Sequence, residues 1–176
     1  MLMDSWIQQH QGLDYDDNGQ WAASSQSHPG LLEQLMKDSF VSKAPPKSTG
    51  REHYNLQWLG EQLKDSDQLT PVTVQASLCA FTVHSIKQAI EHFLPRIQTL
   101  IICGGGVHNR HLMKLLETAL PDIRVQASEQ YGLAADWVEA VAFAWLARQT
   151  LRGQAGNLIE VTGAQEAVTL GAIYPA

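Results

Sequence analysis

The sequence predicts an α/β domain, rich in helix around a small parallel sheet. Three observations carry that expectation. Residues 99–103 (Thr-Leu-Ile-Ile-Cys) form an uncharged, β-branched and apolar run, the pattern of a strand covered on both faces, and three consecutive glycines, Gly104, Gly105 and Gly106, end it. Asn109 then stands at an N-cap position before Leu112, Met113, Leu115, Leu116, Ala119 and Leu120, whose spacing gives a helix one broad apolar face. After Pro121, residues 123–127 alternate as a second strand, so that strand, crossover helix and strand make a right-handed parallel unit. Ligands of such units bind beyond the carboxyl ends of the strands, here the glycine turn and the 128–133 loop.

The remaining elements follow in order. Leu2, Trp6 and Ile7 with a stop at Gly12 predict a short first helix, whose first turn holds Asp4, where a carboxylate either suits the positive helix end or stands behind a contact near phosphates. Asp14, Asp16, Asn18 and Gly19 start like a calcium loop, but the twelfth position, where an EF-hand needs a bidentate Glu, is Ser25. The segment is therefore read as a polar Asx-type turn leading into a helix near residues 20–25. His28-Pro29 opens a helix carrying Leu31, Leu32, Leu35 and Met36, and Pro45-Pro46 closes that region with a stiff extended stretch. Thr70 caps a helix with Pro71 at its first position. Val72, Ala76, Cys79, Val83, Ile86, Ile90 and Phe93 recur along it in steps of four and three, so it is long and buried, and it ends before Pro95. Asp136 or a neighbour begins a further helix, nearly continuously apolar through Trp137, Val138, Val141, Ala144, Trp145 and Leu146. Arg148 and Arg152 suit its C-terminal end and Gly153 stops it. Gly156-Asn157 makes a turn. Residues 161–164 and 167–173 then read as an extended return packed near the glycine loop. There is no internal repeat, low-complexity tract or interdomain linker, so residues 1–176 form one domain.

The glycine turn is the first candidate site. It lacks the Gly-Lys-Ser/Thr ending of a P-loop, and its glycines are consecutive rather than spaced as G-x-G-x-x-G. Two readings stay open on the residues alone: close approach of backbone to a ligand at a helix start that attracts anions, or glycine needed only for its dihedral angles. Lys47-Ser48-Thr49-Gly50-Arg51-Glu52 is either a hydrophilic loop or a dense set of donors suited to an anionic or polyhydroxylated ligand. Glu139 stands alone on the apolar helix, with Ala142, Phe143 and Leu146 as its helical neighbours. Such a carboxylate either reaches solvent or is held for a ligand. His84 and His92 lie too far apart along one helix to share a metal, and His108 and His111 have no Cys or acidic partner in sequence that completes a ligand set.

Composition excludes several classes. With 44% hydrophobic and 17% charged residues the chain is globular. A formal charge of −6 with 12 scattered Lys and Arg argues against nucleic acid or an anionic membrane as partner. Two cysteines, Cys79 and Cys103, make no disulfide framework and fit a reducing cytoplasm. The start of the chain lacks a basic and apolar leader pattern, and its longest apolar stretch, residues 140–147, is too short to span a bilayer.

A set of motifs then places the chain in a family. Leu2-Met3-Asp4-Ser5-Trp6-Ile7, Pro46-Lys47-Ser48-Thr49-Gly50-Arg51-Glu52, Cys103-Gly104-Gly105-Gly106 with Asn109, Glu139-Ala140-Val141-Ala142-Phe143-Ala144-Trp145-Leu146-Ala147, and Val161-Thr162-Gly163-Ala164 with Leu170-Gly171-Ala172-Ile173 occur in the order of the anhydro-N-acetylmuramic acid kinases. Over nearly its full length the chain resembles the C-terminal half of that family, within the sugar kinase, Hsp70 and actin superfamily. The resemblance implies the C-terminal lobe of an actin-like ATPase (ribonuclease H-like) fold, with the N-terminal lobe and preceding strands absent. It implies that Gly104, Gly105, Gly106 and Asn109 face ATP, and that Mg²⁺ bridges the phosphates. On the same resemblance Glu139 would contact the anhydro-sugar, and Lys47, Ser48, Thr49 and Arg51 would be further substrate contacts. The aspartate that activates water would precede Met1, so no catalytic residue is expected in this chain and it should not turn over alone. The open sheet edge left by the absent strands implies self-association, most simply as a dimer. The rival readings are a nucleotide-binding or oligomerisation module without turnover, and an unrelated α/β transferase whose glycine turn binds another nucleotide.

Overall fold

A computed structural model describes residues 1–64 and 68–174. In chain order the elements are α1 (Leu2–Gln11), α2 (Gln20–Ala23), α3 (Pro29–Met36), α4 (Ser39–Ser42), α5 (Leu56–Gln62), α6 (Pro71–Phe93), β1 (Thr99–Ile102), α7 (Arg110–Ala119), β2 (Arg124–Ala127), α8 (Val138–Leu151) and α9 (Ile159–Thr162). The fold is helix-rich α/β. Strands β1 and β2 pair in parallel from Thr99 against Arg124 to Ile102 against Ala127, with α7 as the crossover. Among the described residues no helix is long and apolar enough to cross a membrane.

Local chemistry accounts for most boundaries. Gly12 takes the left-handed conformation (φ 69°) and closes α1 with its N–H on the Gln8 carbonyl. His28 Nδ1 accepts the Leu31 N–H at the start of α3, and the Thr70 hydroxyl accepts that of Thr73 at the start of α6. Asp38 and Asn55 cap α4 and α5 by accepting from the Phe40 and Trp58 N–H groups, each at 2.9 Å. These two helices are absent from the sequence reading, because each is too short to show a hydrophobic period.

Helix α6 is the spine. Val74, Leu78 and Phe81 pack with Trp6, Leu31, Leu35, Val41 and Leu59 on one side. Cys79, Val83 and Ile90 pack with Ala22, Leu112, Leu116 and Leu120 on the other, where Leu100, Ile102, Ile123 and Val125 bring in the sheet. Burial, and then the charge of Asp16, push the Cys79 thiol up to about 12, so it is an inert core group. Both cysteines are free thiols.

Three expectations are corrected. First, β1 is covered on one face only. Leu100 and Ile102 turn to α6 and α7, while Ile101, on the opposite face, is 49% exposed. Second, α8 forms as expected but has no buried residue, and Phe143 is 70% exposed. Its all-round apolar surface reads as that of a buried helix, and among the described residues no layer lies over it. Third, the return after residue 156 is helical at α9, which Gly163 closes at φ 70°, and its end lies on α8 rather than on the glycine loop. The Gly156 N–H donates to the Val168 carbonyl at 2.9 Å and the Thr150 hydroxyl donates to the Leu170 carbonyl.

Leu116→Ala, at a site 1% exposed, is expected to cost about 3 kcal/mol in urea unfolding, and Phe143→Ala less than about 0.5 kcal/mol. Equal losses would show that α8 is packed in solution.

Candidate functional site

A cleft of 620 Å³ opens where the sequence places the glycine turn, large enough for a small-molecule ligand. One wall comes from Met3 and Asp4 at the start of α1 and a second from residues 15–18. The third comes from Gly105, Gly106, His108, Asn109 and Leu112. The second wall is held by Asp16, whose two carboxylate oxygens accept the Trp21 and Ala22 N–H groups at 2.8 and 2.9 Å. The turn predicted there is real, and within it Asp16 works as a helix cap. Gly19 completes it at φ 70°, packed so closely on the start of α7 that an added Cβ would lie 2.7 Å from the His111 Cβ and clash with Asn109 Oδ1.

Asn109 serves as the predicted N-cap, its Oδ1 accepting the Leu112 N–H at 2.9 Å. Gly104 adopts φ 72° and donates its N–H to the Ala135 carbonyl at 3.0 Å, so its own backbone requires glycine. Gly105 differs. Its φ is not positive, and a Cβ built there meets nothing within 4 Å. Space, not protein packing, lies over that residue.

A second hollow of 580 Å³ adjoins the first, sharing Asp4, and is lined by Ser5, Gln8, Asp14, Arg51, Tyr54 and Asn55. Asn55 Nδ2 donates to the Arg51 and Glu52 carbonyls at 3.1 and 3.2 Å, which fixes the backbone that carries Arg51.

The whole chain, residues 1–176, matches the family model for anhydro-N-acetylmuramic acid kinase. The chain belongs to the anhydro-N-acetylmuramic acid kinase family. A relative of that name from Thiobacillus denitrificans is 49% identical over 177 residues, with all of this chain and 48% of the relative covered. One from Nitrosomonas europaea is 47% identical over 176 residues, again covering all of this chain and 48% of the relative. One from Pasteurella multocida is 47% identical over 175 residues, covering 99% of this chain and 46% of the relative. The chain thus spans about half the length of the curated relatives it matches.

Of the residues that the kinase resemblance singles out, the structure brings Gly105, Gly106 and Asn109 together in one cleft, with Arg51 in the hollow beside it; Gly104 sets the turn that carries them and does not itself line the cleft. It does not bring the others there. Lys47 Nζ donates to the Phe40 and Val41 carbonyls at 2.8 and 2.9 Å and lies 4.9 Å from the Phe40 ring centroid, so it closes α4. Ser48 is exposed, Thr49 half-buried, and neither lines either hollow. Glu139 is exposed in the first turn of α8 and does not line the cleft. The sequence reading missed Tyr15, Asp17 and Asn18 as cleft walls and His108 as a lining residue. The density of polar side chains at residues 14–18 was the available signal for the former.

The Arg51 loop is anchored by one carboxylate. Asp38 accepts from the Phe40 N–H, the Tyr54 hydroxyl and the Trp58 indole, and lies 2.9 Å from His53 Nε2. Burial by itself would raise its pKa, but the Phe40 N–H, His53 and the Trp58 indole together hold the carboxyl below the usual carboxylate range. Tyr54 is pushed up by burial and by the Asp38 charge.

Two outcomes follow. Gly19→Ala should destabilise the chain by about 2 kcal/mol in thermal or urea unfolding, since it strains a left-handed residue and crowds Asn109. Asp38 has a lowered folded-state pKa, so its contribution is full above the unfolded value of about 3.9 and is lost as pH falls through the folded value. Asp38→Asn should therefore flatten the decline of unfolding free energy below about pH 4. An unchanged slope would remove Asp38 from that account.

Proposed function

We propose that this chain is the C-terminal half of an anhydro-N-acetylmuramic acid kinase, a single lobe of an actin-like ATPase fold covering residues 1–176. The whole enzyme would open the anhydro bridge with water and pass the γ-phosphate of ATP to the freed primary hydroxyl. The products would be N-acetylmuramic acid 6-phosphate and ADP, within cytoplasmic recycling of cell-wall sugar. The observation that carries the reading is Gly105, where an open cleft rather than a protein contact or a positive φ accounts for a missing side chain.

The division of labour follows the two adjoining hollows. Gly105, Gly106 and Asn109 take the nucleotide on the turn that Gly104 opens, and Arg51 addresses the sugar from the neighbouring hollow. Among the described residues no three metal-ligating side chains converge. Asp4 and Asp17 are the carboxylates in the cleft that would hold Mg²⁺, which when bound would neutralise phosphate charge. Glu139 joins the sugar site only when the other half of the enzyme packs over α8. The exposed apolar surface of that helix and the length of the relatives both support such packing. Turnover needs that half, which would bring the aspartate that activates water. The same bare surface favours the second reading, in which a further copy of this chain covers α8 and the module binds nucleotide without turnover.

Gly105→Val should leave unfolding free energy unchanged and weaken ADP binding by about tenfold or more in calorimetric titration, close to 1.4 kcal/mol. Mixing with a separately produced N-terminal half should restore kinase activity. Unchanged ADP affinity in Gly105→Val would overturn the nucleotide site, and self-association without restored activity would favour the second reading.

A further inference from the structure

We propose that His108, oriented by Asp136, contacts phosphate in the cleft, presenting Nδ1 to an oxygen of a nucleoside diphosphate or triphosphate. This rests on the nucleotide reading of the cleft and adds a side chain that the glycine motif does not contain.

Asp16 and Asp17 line one wall of the cleft and Asp4 another, where its carboxylate pairs with the Met1 ammonium; His108 is the lining side chain on the glycine-turn wall that can become cationic. A polyphosphate is repelled from the carboxylates toward the glycine turn, and there it meets the imidazole. That imidazole is held in place. His108 Nε2 lies 3.0 Å from both carboxylate oxygens of Asp136. A carboxylate on Nε2 places the proton on that nitrogen and leaves Nδ1 to address a ligand. Asp136 is itself fixed by its neighbour: the Ala135 carbonyl accepts the Gly104 N–H, and the Ala135 N–H donates to Glu129 Oε1, each at 3.0 Å. The Ala135 N–H, with a smaller effect from His108, holds the Glu129 carboxyl below its usual range, so it is a fixed anion there. Thus the ends of β1 and β2 and the approach to α8 form one frame around the ring.

The titratable groups facing His108 are Asp136 and Glu129 beside it and, across the cleft, Asp4 with the Met1 ammonium, Tyr15, Asp16 and Asp17. A phosphate oxygen on Nδ1 stabilises the doubly protonated ring, so ADP binding and proton uptake by His108 are linked. His108 and Asp136 side chains are each 62% exposed, so replacing them leaves the core intact.

Titrating the chain with ADP and with adenosine tests this. His108→Ala should weaken ADP about tenfold and leave adenosine unchanged, and Asp136→Asn should weaken ADP by a smaller factor. The His108 ring resonance in NMR should titrate at higher pH with ADP bound than without. Equal ADP affinity in His108→Ala and the unsubstituted chain, equal loss for adenosine, or an unmoved ring titration would overturn the assignment. If the unsubstituted chain takes neither ADP nor adenosine, the nucleotide reading itself fails and this contact fails with it.

Discussion

Two-sided burial of α6 is the constraint on which the rest depends. One helix packs α1, α3 and the start of the Arg51 loop on one flank, and α7 with the sheet on the other. Its polar groups tie down the cleft walls as well. The Trp6 indole donates to the Pro71 carbonyl at 2.8 Å, which seats α1, and the His28 N–H donates to the Ser77 hydroxyl at 2.9 Å, which seats the entry to α3. Gln75, fully buried, points its amide nitrogen at Asp16 from 3.4 Å. The acidic turn is thereby fixed to the same scaffold as the glycine turn that faces it.

From that scaffold the chemistry divides cleanly. The Asp16 carboxylate and the Asn109 Oδ1 are taken up by structure: one caps α2, the other caps α7, and Gly19 lets the two segments touch. Gly105 and Gly106 are left over a hollow, and Arg51 is offered to its neighbour by a turn that Asp38 and Asn55 hold. A rigid, hydrogen-bonded frame around a few unengaged groups is the arrangement that small-molecule binding requires. The contrast between Lys47 and Arg51 shows the distinction, since both belong to one run of donors. Lys47 is spent on carbonyls, while Arg51 lines a hollow.

Open apolar surface lies on α8 and the segments around it. Trp137, Phe143, Leu151 and Val161 are each at least 65% exposed, and Ile101 is bare on the outer face of β1. Apolar surface of that extent marks a region made to be covered. Because Ala135 and Asp136 join α8 to the glycine turn, whatever covers α8 bears on the rim of the cleft.

The sequence by itself determined what local chemistry decides: the N-caps at His28, Thr70 and Asn109, the stop at Gly12, the limits of α6, and the β1, α7, β2 unit with its glycine turn. These features depend on backbone donors and periodicity within a few residues, so they are written in the chain. It also carried the family, because the motifs stand in order along it. Only the tertiary structure decided which donors remain free, that the acidic turn faces the glycine turn, that His108 meets Asp136, and that α8 lies bare. Those depend on contacts between residues far apart in sequence. A polar or apolar side chain reads the same on paper whether its partner is present, already used, or missing from the fold.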